Sequence, residues 1–507
     1  MSAHASLLDC IAATVEAHRA RPALWAKGEL LTYGEVWERA GAIADALLDA
    51  GLGRGDRVAI LSSRGVLDYI AVLAAMRAGC TYVPLNARFP VSRNFAVLAA
   101  ADAAALILDE ACAQTFGELI NGGPCRTILR PERSAMSRPA SRSWPRGSGN
   151  ADLYLLFTSG STGLPKGVPI SHANVLAYLE GIRALASVGA EDRIIQLVDL
   201  TFDLSAHDMF LAWTSGAALY SIQSLATLLA PRFVAEHELT CWLSVPSSVA
   251  LAREAGLLDP GAMPSLRWAF FCGEALPAGR ARAFAAAAPN AALFNLYGPT
   301  EATIAFSWFR IDCGQPLPAI VPIGEPLGRE RMAVIDDVGR RLPAGALGEL
   351  HLAGRQLTRG YWRAPELDAE RFVVREGRRW YRTGDLARYV PGEGYHFVGR
   401  VDHQVKIRGY RVELLEIEAA LRRAAGREMV AVTPSPPSPS GTIDGCIAFL
   451  TLPKLPDELL RAALAEHLPD YMIPQRFVFL ASLPLTANGK VDYKALAADD
   501  AVAQPSK

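Results

Sequence analysis

Residues 153–168 have the composition of a loop that binds phosphate. Their sequence, LYLLFTSGSTGLPKGV, runs from a strand-like apolar segment directly into small and hydroxylated residues. Small residues let the backbone approach a ligand closely, and consecutive N–H groups, hydroxyls and a lysine donate to phosphate oxygens. The spacing is not that of a Walker A loop, because the lysine precedes a glycine rather than a serine or threonine. The candidate phosphate-binding residues are Thr158, Ser159, Gly160, Ser161, Thr162, Gly163 and Lys166.

Further motifs follow one another along nearly the whole chain. They are LTYGE at residues 31–35, MRAGCTYVP at 76–84, NLYGPTE at 295–301, GEL at 348–350, RGY at 359–361, YRTGD at 381–385, GRVDHQVKIRGYR at 399–411, LPDYMIP at 468–474 and NGK at 488–490. Together with the loop, this ordered set resembles the adenylate-forming superfamily, which contains acyl-CoA synthetases, luciferases and the adenylation domains of nonribosomal peptide synthetases. One such motif arises easily by chance, whereas the full set in this order does not.

The resemblance implies a two-step reaction. A carboxylic acid attacks the α-phosphate of ATP, pyrophosphate leaves, and a thiol then takes the acyl group from the adenylate as a thioester. Such chemistry depends on positioning and on neutralising phosphate charge, which implies Mg²⁺ with Glu301 as its carboxylate ligand. The resemblance places Tyr297 against the adenine ring and Asp385 and Arg400 at the ribose. The full set of further ATP-binding residues that it implies is Asn295, Tyr297, Gly298, Thr300, Asp385 and Arg400.

Lys490 and Asp402 are the two residues by which the resemblance links chemistry to domain motion. An isolated lysine in an Asn-Gly turn is usually a solvated surface charge. In a chain with the other motifs, Lys490 matches the family's catalytic lysine, which lies between the substrate carboxylate and the α-phosphate, where charge develops in the transition state. Asp402 matches the hinge residue about which the small C-terminal domain rotates between the two steps.

The sequence FDLS at residues 202–205 resembles the F-D-x-S motif of amino-acid-activating members. Asp203 is expected to pair with the α-ammonium group of the substrate, because a buried cation needs a charged partner; a helix cap is the alternative. The other pocket residues implied by the resemblance are Leu204, His207, Leu243, Phe270, Cys272, Gly273, Leu296, Ile304 and Ala305. This mostly apolar lining favours a small or compact side chain such as proline or alanine, and His207 and Cys272 keep serine open.

The expected acceptor is the phosphopantetheine thiol of a separate carrier protein. Little of the chain follows Lys490, and no carrier segment is recognisable there, so we expect a free-standing enzyme of nonribosomal peptide or antibiotic biosynthesis. The rival within the superfamily is an acyl-CoA or aryl-CoA ligase, which Asp203 argues against. A rival of another class is a non-catalytic nucleotide-binding protein.

The composition argues against several other classes of protein. Of the 507 residues, 51% are hydrophobic and 20% are charged, which excludes wholesale disorder. Lys plus Arg total 51 and Asp plus Glu total 52, a balance that argues against nucleic acid or a membrane surface as the main partner. The chain has no signal-peptide pattern, no long apolar run and no C-x-x-C pair. We therefore expect a cytoplasmic protein with free thiols.

The elements that must position these residues alternate between helix and strand. The predicted helices cover residues 7–19, 33–50 and 69–78, and the predicted strands cover 57–63, 81–85, 104–108, 153–158, 194–198, 268–272 and 292–296. Such alternation predicts helices layered around a largely parallel sheet. After residue 400, helices over 413–425 and 456–468 and strands over 443–450 and 477–479 predict a small α+β unit.

The sequence therefore predicts an α/β protein with a large N-terminal domain and a small C-terminal one. Residues 1–400 are expected to form the adenylation core, built of layered α/β subdomains that bind ATP and the amino acid. Residues 401–402 form the hinge, 403–500 a mobile α+β lid domain, and 501–507 a tail.

A rotating C-terminal domain would bring Lys490 into the active site only for adenylation. Lys490→Ala should then slow adenylate formation by roughly 10²–10³-fold, the effect of removing one preorganised donor from a transition state. Transfer from a supplied aminoacyl adenylate to the carrier should slow much less. Rapid-quench measurement of each half-reaction checks this expectation, and equal slowing of both steps would contradict the rotation.

Overall fold

The computed structural model describes residues 6–117, 122–131, 148–159, 165–222, 228–401, 404–435, 443, 445–485, 491–493 and 495–496. The chain forms two compact units. The first takes in Met1–Ala87, Leu98–Phe157 and Gly167–Val401, and the second takes in Arg88–Val97, Thr158–Lys166 and Asp402–Lys507. The predicted α/β class, with a large N-terminal and a small C-terminal domain, is confirmed.

The helices include all five that the sequence predicted, and the bounds of each lie within three residues of the prediction. They are α1 (Leu7–His18), α2 (Tyr33–Asp49), α3 (Val66–Arg77), α4 (Val91–Ala101), α5 (Glu110–Thr115), α6 (His172–Leu185), α7 (Leu204–Ser215), α8 (Ala230–His237), α9 (Pro246–Glu254), α10 (Ala278–Ala287), α11 (Pro365–Arg371), α12 (Leu414–Ala425) and α13 (Asp457–Ala465). Helix α3 begins three residues before its predicted start, because Asp68 accepts a hydrogen bond from the Gly65 N–H at 2.8 Å and so caps the first turn. None of the helices in this described part of the chain has the length and hydropathy needed to cross a bilayer.

The strands include every one that the sequence predicted. They are β1 (Pro22–Ala26), β2 (Glu29–Thr32), β3 (Arg57–Leu61), β4 (Thr81–Pro84), β5 (Ala105–Leu108), β6 (Thr127–Leu129), β7 (Asp152–Thr158), β8 (Lys166–Ser171), β9 (Arg193–Gln196), β10 (Ala218–Ser221), β11 (Cys241–Ser244), β12 (Trp268–Phe271), β13 (Ala292–Tyr297), β14 (Ser307–Ile311), β15 (Glu325–Pro326), β16 (Arg331–Ile335), β17 (Gly348–Ala353), β18 (Phe372–Arg375), β19 (Arg378–Val390), β20 (Gly394–Arg400), β21 (Gln404–Ile407), β22 (Tyr410–Glu413), β23 (Val430–Pro434), β24 (Cys446–Thr451) and β25 (Arg476–Leu480). The strand expected from residue 443 begins at Cys446.

Three sheets build the first unit. A nine-stranded sheet has the order β15-β14-β13-β12-β11-β9-β10-β1-β2, and its central pairs from β13 to β1 are parallel. A six-stranded sheet has the order β6-β5-β3-β4-β7-β8, with parallel pairs from β6 to β7. A third, antiparallel sheet joins β16, β17, β19 and β18, and β20 pairs with β19.

The nine-stranded sheet is covered on both faces. Along β12, Trp268 and Phe270 belong to one apolar core, whereas Ala269 and Phe271 belong to a second core on the opposite face. A strand with both faces covered has no need for polar residues, which is why β11 and β12 are continuous buried runs.

The second unit has its own apolar core. Strands β21 and β22 form an antiparallel hairpin, and β23, β24 and β25 form a three-stranded mixed sheet. Helix α12 contributes Ile417 and Leu421 to this core, and α13 contributes Leu460 and Leu464. This is the small α+β arrangement that the sequence predicted after residue 400.

One of the family motifs has a purely local explanation. In LTYGE, Thr32 caps helix α2 by accepting from the Glu35 N–H, and Glu35 accepts in return from the Thr32 N–H at 2.8 Å. This reciprocal capping box satisfies two N–H groups that the first helical turn leaves without partners. The motif therefore fixes where α2 begins.

Candidate functional site

Parallel strands of the nine-stranded sheet bring several predicted pocket residues together. Leu243 on β11 and Phe270 on β12 are register partners, and Phe270 in turn pairs with Phe294 on β13. Because side chains alternate along a strand, Cys272 follows Phe270, and Leu296 follows Phe294, on the same face toward the carboxyl ends. All five residues are buried. Ligands of open α/β sheets bind outside this edge, so the geometry fits a pocket here.

Helix α7 contributes Asp203 at its N-terminus. The residue occupies the N-cap position, but its side chain makes no capping hydrogen bond. It is 4% exposed. Burial raises the pKa of the phenols of Tyr82, Tyr154 and Tyr178, and the nearby charge of Asp203 raises each of them further. The carboxylate of Asp203 therefore faces a buried aromatic region, and the alternative of a simple helix cap is not what the structure has.

His207 lies one turn further along α7 and is part of the same aromatic region. Its Nδ1 is 2.7 Å from the hydroxyl of Tyr178, and its ring meets Phe270 edge to face with centroids 5.3 Å apart. Burial lowers the pKa of His207 to about 3, so the imidazole is neutral near pH 7. Burial also raises the pKa of the Tyr178 phenol. A neutral hydrogen-bonded pair therefore stands here, next to the fully buried Leu204.

Two glycines allow the backbone segments of the pocket to approach closely. Gly273 has φ +94°, and a Cβ there would also crowd a neighbouring valine at 3.1 Å. At Gly298 a Cβ would lie 2.7 Å from Cα of Ala305. Ile304 and Ala305 are buried, and the Ile304 carbonyl oxygen is 4.0 Å from Sγ of Cys272. The loop after β13 is therefore pressed against the carboxyl end of β12.

Tyr297, Asp385 and Arg400 form a hydrogen-bonded cluster within the first unit. The Tyr297 hydroxyl donates to Oδ2 of Asp385, and Nη1 of Arg400 donates to Oδ1. Burial raises the pKa of Tyr297, and the adjacent charge of Asp385 raises it further, so the phenol keeps its proton. The structure thus brings together the residue expected at adenine and the two expected at ribose.

Asn295 precedes this cluster on β13 and offers an acceptor. Its Nδ2 donates to the carbonyls of Val321 at 3.3 Å and Pro322 at 2.8 Å. Its Oδ1 is buried and has no hydrogen-bond partner among the described residues. A buried acceptor without a donor is costly, and an amino group on a ligand would satisfy it. Thr300, also predicted to bind ATP, begins the 3-10 turn Thr300–Ala302.

Glu301 is the fully buried acid of that turn. Its Oε1 accepts from the Tyr361 hydroxyl at 2.7 Å, and that hydroxyl is 3.2 Å from the Tyr381 hydroxyl. Within the described ranges, no three His, Cys, Asp or Glu side chains are grouped closely enough to hold a metal ion by themselves. One carboxylate is nevertheless the usual protein contribution to a magnesium ion whose other ligands are water and substrate phosphates.

The described phosphate-loop residues belong to the second unit. Thr158 Oγ1 is buried and has no hydrogen-bond partner in the part of the chain that is described. Ser159 Oγ donates to the Arg411 carbonyl at 2.7 Å, and Lys166 Nζ is 3.9 Å from Oε1 of Glu413. The predicted residues Gly160, Ser161, Thr162, Gly163, Asp402 and Lys490 lie outside the described residues, so their roles stay predictions.

Sequence reasoning missed the residues that hold these side chains in place. Tyr361 stands in the RGY motif, which was a signal, although its bond to Glu301 was not foreseen. Tyr178 and Gln356 lie outside every motif. They bond to partners 29 and 53 residues away along the chain, at His207 and Thr303. No local pattern reports such pairings.

The two clusters offer different binding chemistry. Tyr297, Asp385 and Arg400 present an aromatic ring and a carboxylate that is suited to hydroxyl groups. The region around His207 and Phe270 presents apolar surface and a neutral imidazole, with the Asp203 carboxylate on the same helix as the imidazole. One cluster suits a nucleoside, and the other suits a small molecule with an apolar part and a positive charge.

Comparison with known proteins gives consistent matches. Residues 11–362 match the family model described as AMP-binding enzyme, and residues 416–490 match that of the AMP-binding enzyme C-terminal domain. The L-proline–[L-prolyl-carrier protein] ligase of Streptomyces coelicolor is 36% identical, over 95% of this chain and 94% of its own. Malpinin synthetase of Mortierella alpina is 35% identical over 92% of this chain, which spans 6% of that protein. The Vibrio cholerae adenylation domain AlmE, solved in complex with glycyl-adenosine-5'-phosphate, has 34% identity and a TM-score of 0.87, with 98% of each chain covered.

Asp208, next to His207 on α7, is a buried acid that the motifs do not explain. It is fully buried, and neither carboxyl oxygen has a hydrogen-bond partner among the described residues. Burial raises its pKa well above the usual value for aspartate. The folded protein therefore holds a proton here that the unfolded chain releases above about pH 4.

The stability of Asp208→Asn relative to the unmodified protein should be greater at pH 8 than at pH 5. The folded state binds one more proton than the unfolded state between the two pKa values of Asp208, so its stability falls by about 1.4 kcal/mol per pH unit in that window. The asparagine side chain does not titrate, so the variant does not lose stability in this way as the pH rises. Thermal unfolding at both pH values measures the difference, with the exposed Asp259→Asn as the control. An Asp208→Asn effect of equal size at pH 5 and pH 8 would show that the carboxyl is ionised in the folded protein.

Proposed function

Because the chain belongs to the family of AMP-binding enzymes, as its motifs predicted, we propose that it activates an amino acid and loads it on a carrier protein. A carboxylate oxygen of the amino acid attacks the α-phosphorus of ATP. The bond from that phosphorus to the bridging oxygen breaks, and pyrophosphate leaves with the electron pair. The thiol of a phosphopantetheine group then attacks the carbonyl carbon of the aminoacyl adenylate, and AMP leaves as the thioester forms.

The observation that carries the choice of an amino acid is the environment of Asp203. Its carboxylate is buried, does not cap its helix, and lies close enough to three buried phenols to raise their pKa values. A negative charge in such a low-dielectric region complements the α-ammonium group of an amino acid through charge-assisted hydrogen bonds. Fatty and aryl acids have no positive charge to place there, which disfavours the alternative of an acyl-CoA or aryl-CoA ligase.

The nucleotide side of the proposal rests on the cluster around Asp385. The ring of Tyr297 takes the adenine face, and the carboxylate of Asp385 accepts from the ribose hydroxyls with Arg400 beside it. The buried Oδ1 of Asn295 accepts from the amino group of adenine. The hydroxyl of Thr158, together with Lys166 and the loop residues between them, binds phosphate oxygens.

A magnesium ion fits the residues around Glu301. Mg²⁺ prefers oxygen ligands and usually combines one or two carboxylates with water and substrate phosphates. The buried Glu301 carboxylate supplies one such ligand, and the Tyr361 hydroxyl, which donates to its Oε1 at 2.7 Å, holds it in one orientation. When bound, the ion neutralises phosphate charge that would otherwise repel the incoming carboxylate.

The remaining parts of the proposal concern motion. Lys490 reaches the α-phosphate during adenylation, and Asp402 is the hinge between the core at residues 1–400 and the lid domain at 403–500. Supporting these roles are the matches of this chain to both halves of the family. The hinge lets one active site serve two reactions in turn.

The preferred substrate has a small or compact side chain. Bulky buried residues, including Phe270, Leu243 and Leu296, occupy the carboxyl ends of the strands around the pocket. The related Streptomyces coelicolor ligase is named for L-proline, and the related Vibrio cholerae domain was solved with glycyl-adenosine-5'-phosphate. Proline and alanine suit an apolar lining, and the neutral imidazole of His207 or the thiol of Cys272 gives serine a hydrogen-bond partner.

An α-amino acid should drive ATP–pyrophosphate exchange, whereas the same acid without its amino group should not. Asp203→Ala should lower kcat/KM for the amino acid by roughly a hundredfold or more, since an unpaired buried charge costs on the order of 3–5 kcal/mol. A panel of amino acids and matched deaminated acids measures both effects. Asp208→Asn, on the same helix, is the matched control and should keep exchange activity.

Equal exchange with the deaminated acid would refute amino acid recognition through Asp203 and favour the acyl-CoA or aryl-CoA ligase. If none of the carboxylic acids tested supports ATP–pyrophosphate exchange, the result would favour a nucleotide-binding protein without catalytic activity.

The acceptor should be a phosphopantetheinylated carrier protein. Incubation with ATP, the preferred amino acid and a holo-carrier protein should add one aminoacyl group to the pantetheine arm, as measured by intact mass spectrometry. The apo-carrier, which lacks the thiol, should remain unmodified. Fast transfer to free CoA with no loading of any carrier would show that the acceptor is a small thiol instead.

A further inference from the structure

Two consecutive residues beside the proposed pocket have an unusual backbone conformation. Thr303 has φ +59° and Ile304 has φ +69°, both in the left-handed region. Both residues are β-branched, and side chains of this shape are strongly disfavoured there. Such a conformation persists only where surrounding contacts determine it. The contacts that hold the loop at residues 302–305 therefore control where the Ile304 side chain lies.

The side chain of Gln356 makes several of those contacts, in addition to backbone hydrogen bonds within the loop. Its Nε2 donates to the carbonyl of Ala305 at 2.6 Å, of Ala302 at 3.3 Å and of Thr303 at 3.4 Å. In return, Thr303 Oγ1 donates to the Gln356 carbonyl at 2.5 Å. Gln356 is fully buried. One amide group thus serves three carbonyls of a segment that has no regular secondary structure beyond the 3-10 turn ending at Ala302.

The segment that carries Gln356 is itself anchored to neighbouring elements. Asn174 on α6 donates from Nδ2 to the carbonyls of Arg355 at 2.7 Å and Leu357 at 3.1 Å. Thr358 Oγ1 donates to the carbonyl of Pro169 on β8 at 2.5 Å. Its backbone N–H donates to the carbonyl of Glu301 at 2.8 Å. The segment that carries Gln356 is therefore held in place by α6 and β8, and Gln356 in turn holds the loop.

The loop in turn touches residues on both sides of the proposed reaction. The Ile304 carbonyl lies 4.0 Å from the Cys272 thiol, on the amino acid side. Ala305 packs so closely on Gly298 that a Cβ at Gly298 would lie 2.7 Å from it, on the nucleotide side. A small rearrangement of the loop would change the space left for the substrate side chain. Because the loop bonds to Gln356 through its backbone, that space depends on a residue outside the pocket.

We propose that Gln356 is a specificity-determining positioning residue, which sets the shape of the amino acid pocket by holding the loop at residues 302–305, where Thr303 and Ile304 have a left-handed conformation. The proposal rests on the proposed function in one respect, namely that Ile304 and Ala305 line the pocket for the substrate side chain. Gln356 itself does not touch the reacting atoms. Its effect should therefore appear in the choice among substrates more than in the chemical step.

Gln356→Met tests the proposal because methionine matches glutamine in length and lacks the N–H donors. The loss of a buried donor that serves several carbonyls should lower kcat/KM for the preferred amino acid about tenfold or more. Most of the loss should fall on the KM for the amino acid, while the KM for ATP changes less than about threefold. The ratio of kcat/KM between the preferred amino acid and one with a larger side chain should shrink by a similar factor.

Tyr33→Phe is the matched control. The Tyr33 hydroxyl is buried and donates to the carbonyls of Ala212 at 3.1 Å and Ala217 at 2.7 Å, away from the loop. This change removes a buried donor of comparable kind and should leave the substrate ratio unchanged. An unchanged ratio in Gln356→Met as well, with the parameters for ATP and the amino acid falling together, would overturn the proposal.

Two further arms keep the test decisive. If Gln356→Met does not fold, Gln356→Asn keeps the amide on a side chain one methylene shorter, and it should shift the same ratio in the same direction. The absence of a shift in Gln356→Asn would overturn the proposal.

The second arm applies if the unmodified protein uses no amino acid, in which case the proposed function fails. The ratio is then measured between whichever carboxylic acid the protein prefers and a larger analogue. A shift of that ratio would still support the role of Gln356, and its absence would refute it.

Discussion

The cost of removing charge from water governs how this site is built. Asp203, Glu301 and Asp385 are all buried in the first unit. An isolated carboxylate is so unfavourable in such surroundings that it needs a charged or hydrogen-bonding partner, or it takes up a proton. Asp385 has Arg400 and the Tyr297 phenol, and Glu301 has the Tyr361 phenol. In the proposed function, the substrate ammonium group gives Asp203 a partner of opposite charge, which favours amino acids over acids that lack an ammonium group.

The parallel sheet determines where these groups meet. Strands β11, β12 and β13 run in the same direction, so their carboxyl ends and the loops that follow form one edge. A strand buried on both faces holds few polar residues, which leaves the chemistry to the turns: Gly273 after β12, and Gly298 to Ala305 after β13. Glycine at position 298 is required by close backbone contact, since a Cβ would meet Ala305 at 2.7 Å. The motif therefore combines ligand contacts with packing constraints.

The sequence predicted the layered arrangement and placed some of the helices and strands close to their observed bounds, because apolar periodicity is a local property. Other elements, such as α8 and β14, were not predicted. The start of α3 was missed, since the cap formed by Asp68 and Gly65 stands before the apolar pattern begins. Membership of the family, and with it the expected ligand-binding residues, followed from ordered motifs. The bond between Tyr178 and His207 could not be predicted, because nothing in the sequence near either residue reports the other. The same holds for Gln356, whose three carbonyl partners are fixed only by the packing of α6 and β8.

His207 and Asp208 are adjacent and both buried, but burial shifts their pKa values in opposite directions. Burial lowers the pKa of the imidazole and raises that of the carboxyl, so both are driven toward their neutral forms. His207 has the Tyr178 hydroxyl as a partner at 2.7 Å and keeps a defined orientation beside Phe270. In the proposed function, a neutral, oriented imidazole adds a hydrogen-bonding atom to the pocket, and it has no positive charge that would compete with the substrate ammonium group for Asp203. In the proposed function, the pocket is therefore apolar toward the side chain of the amino acid and charged toward its α-ammonium group, because Asp203 and His207 lie one helical turn apart on α7.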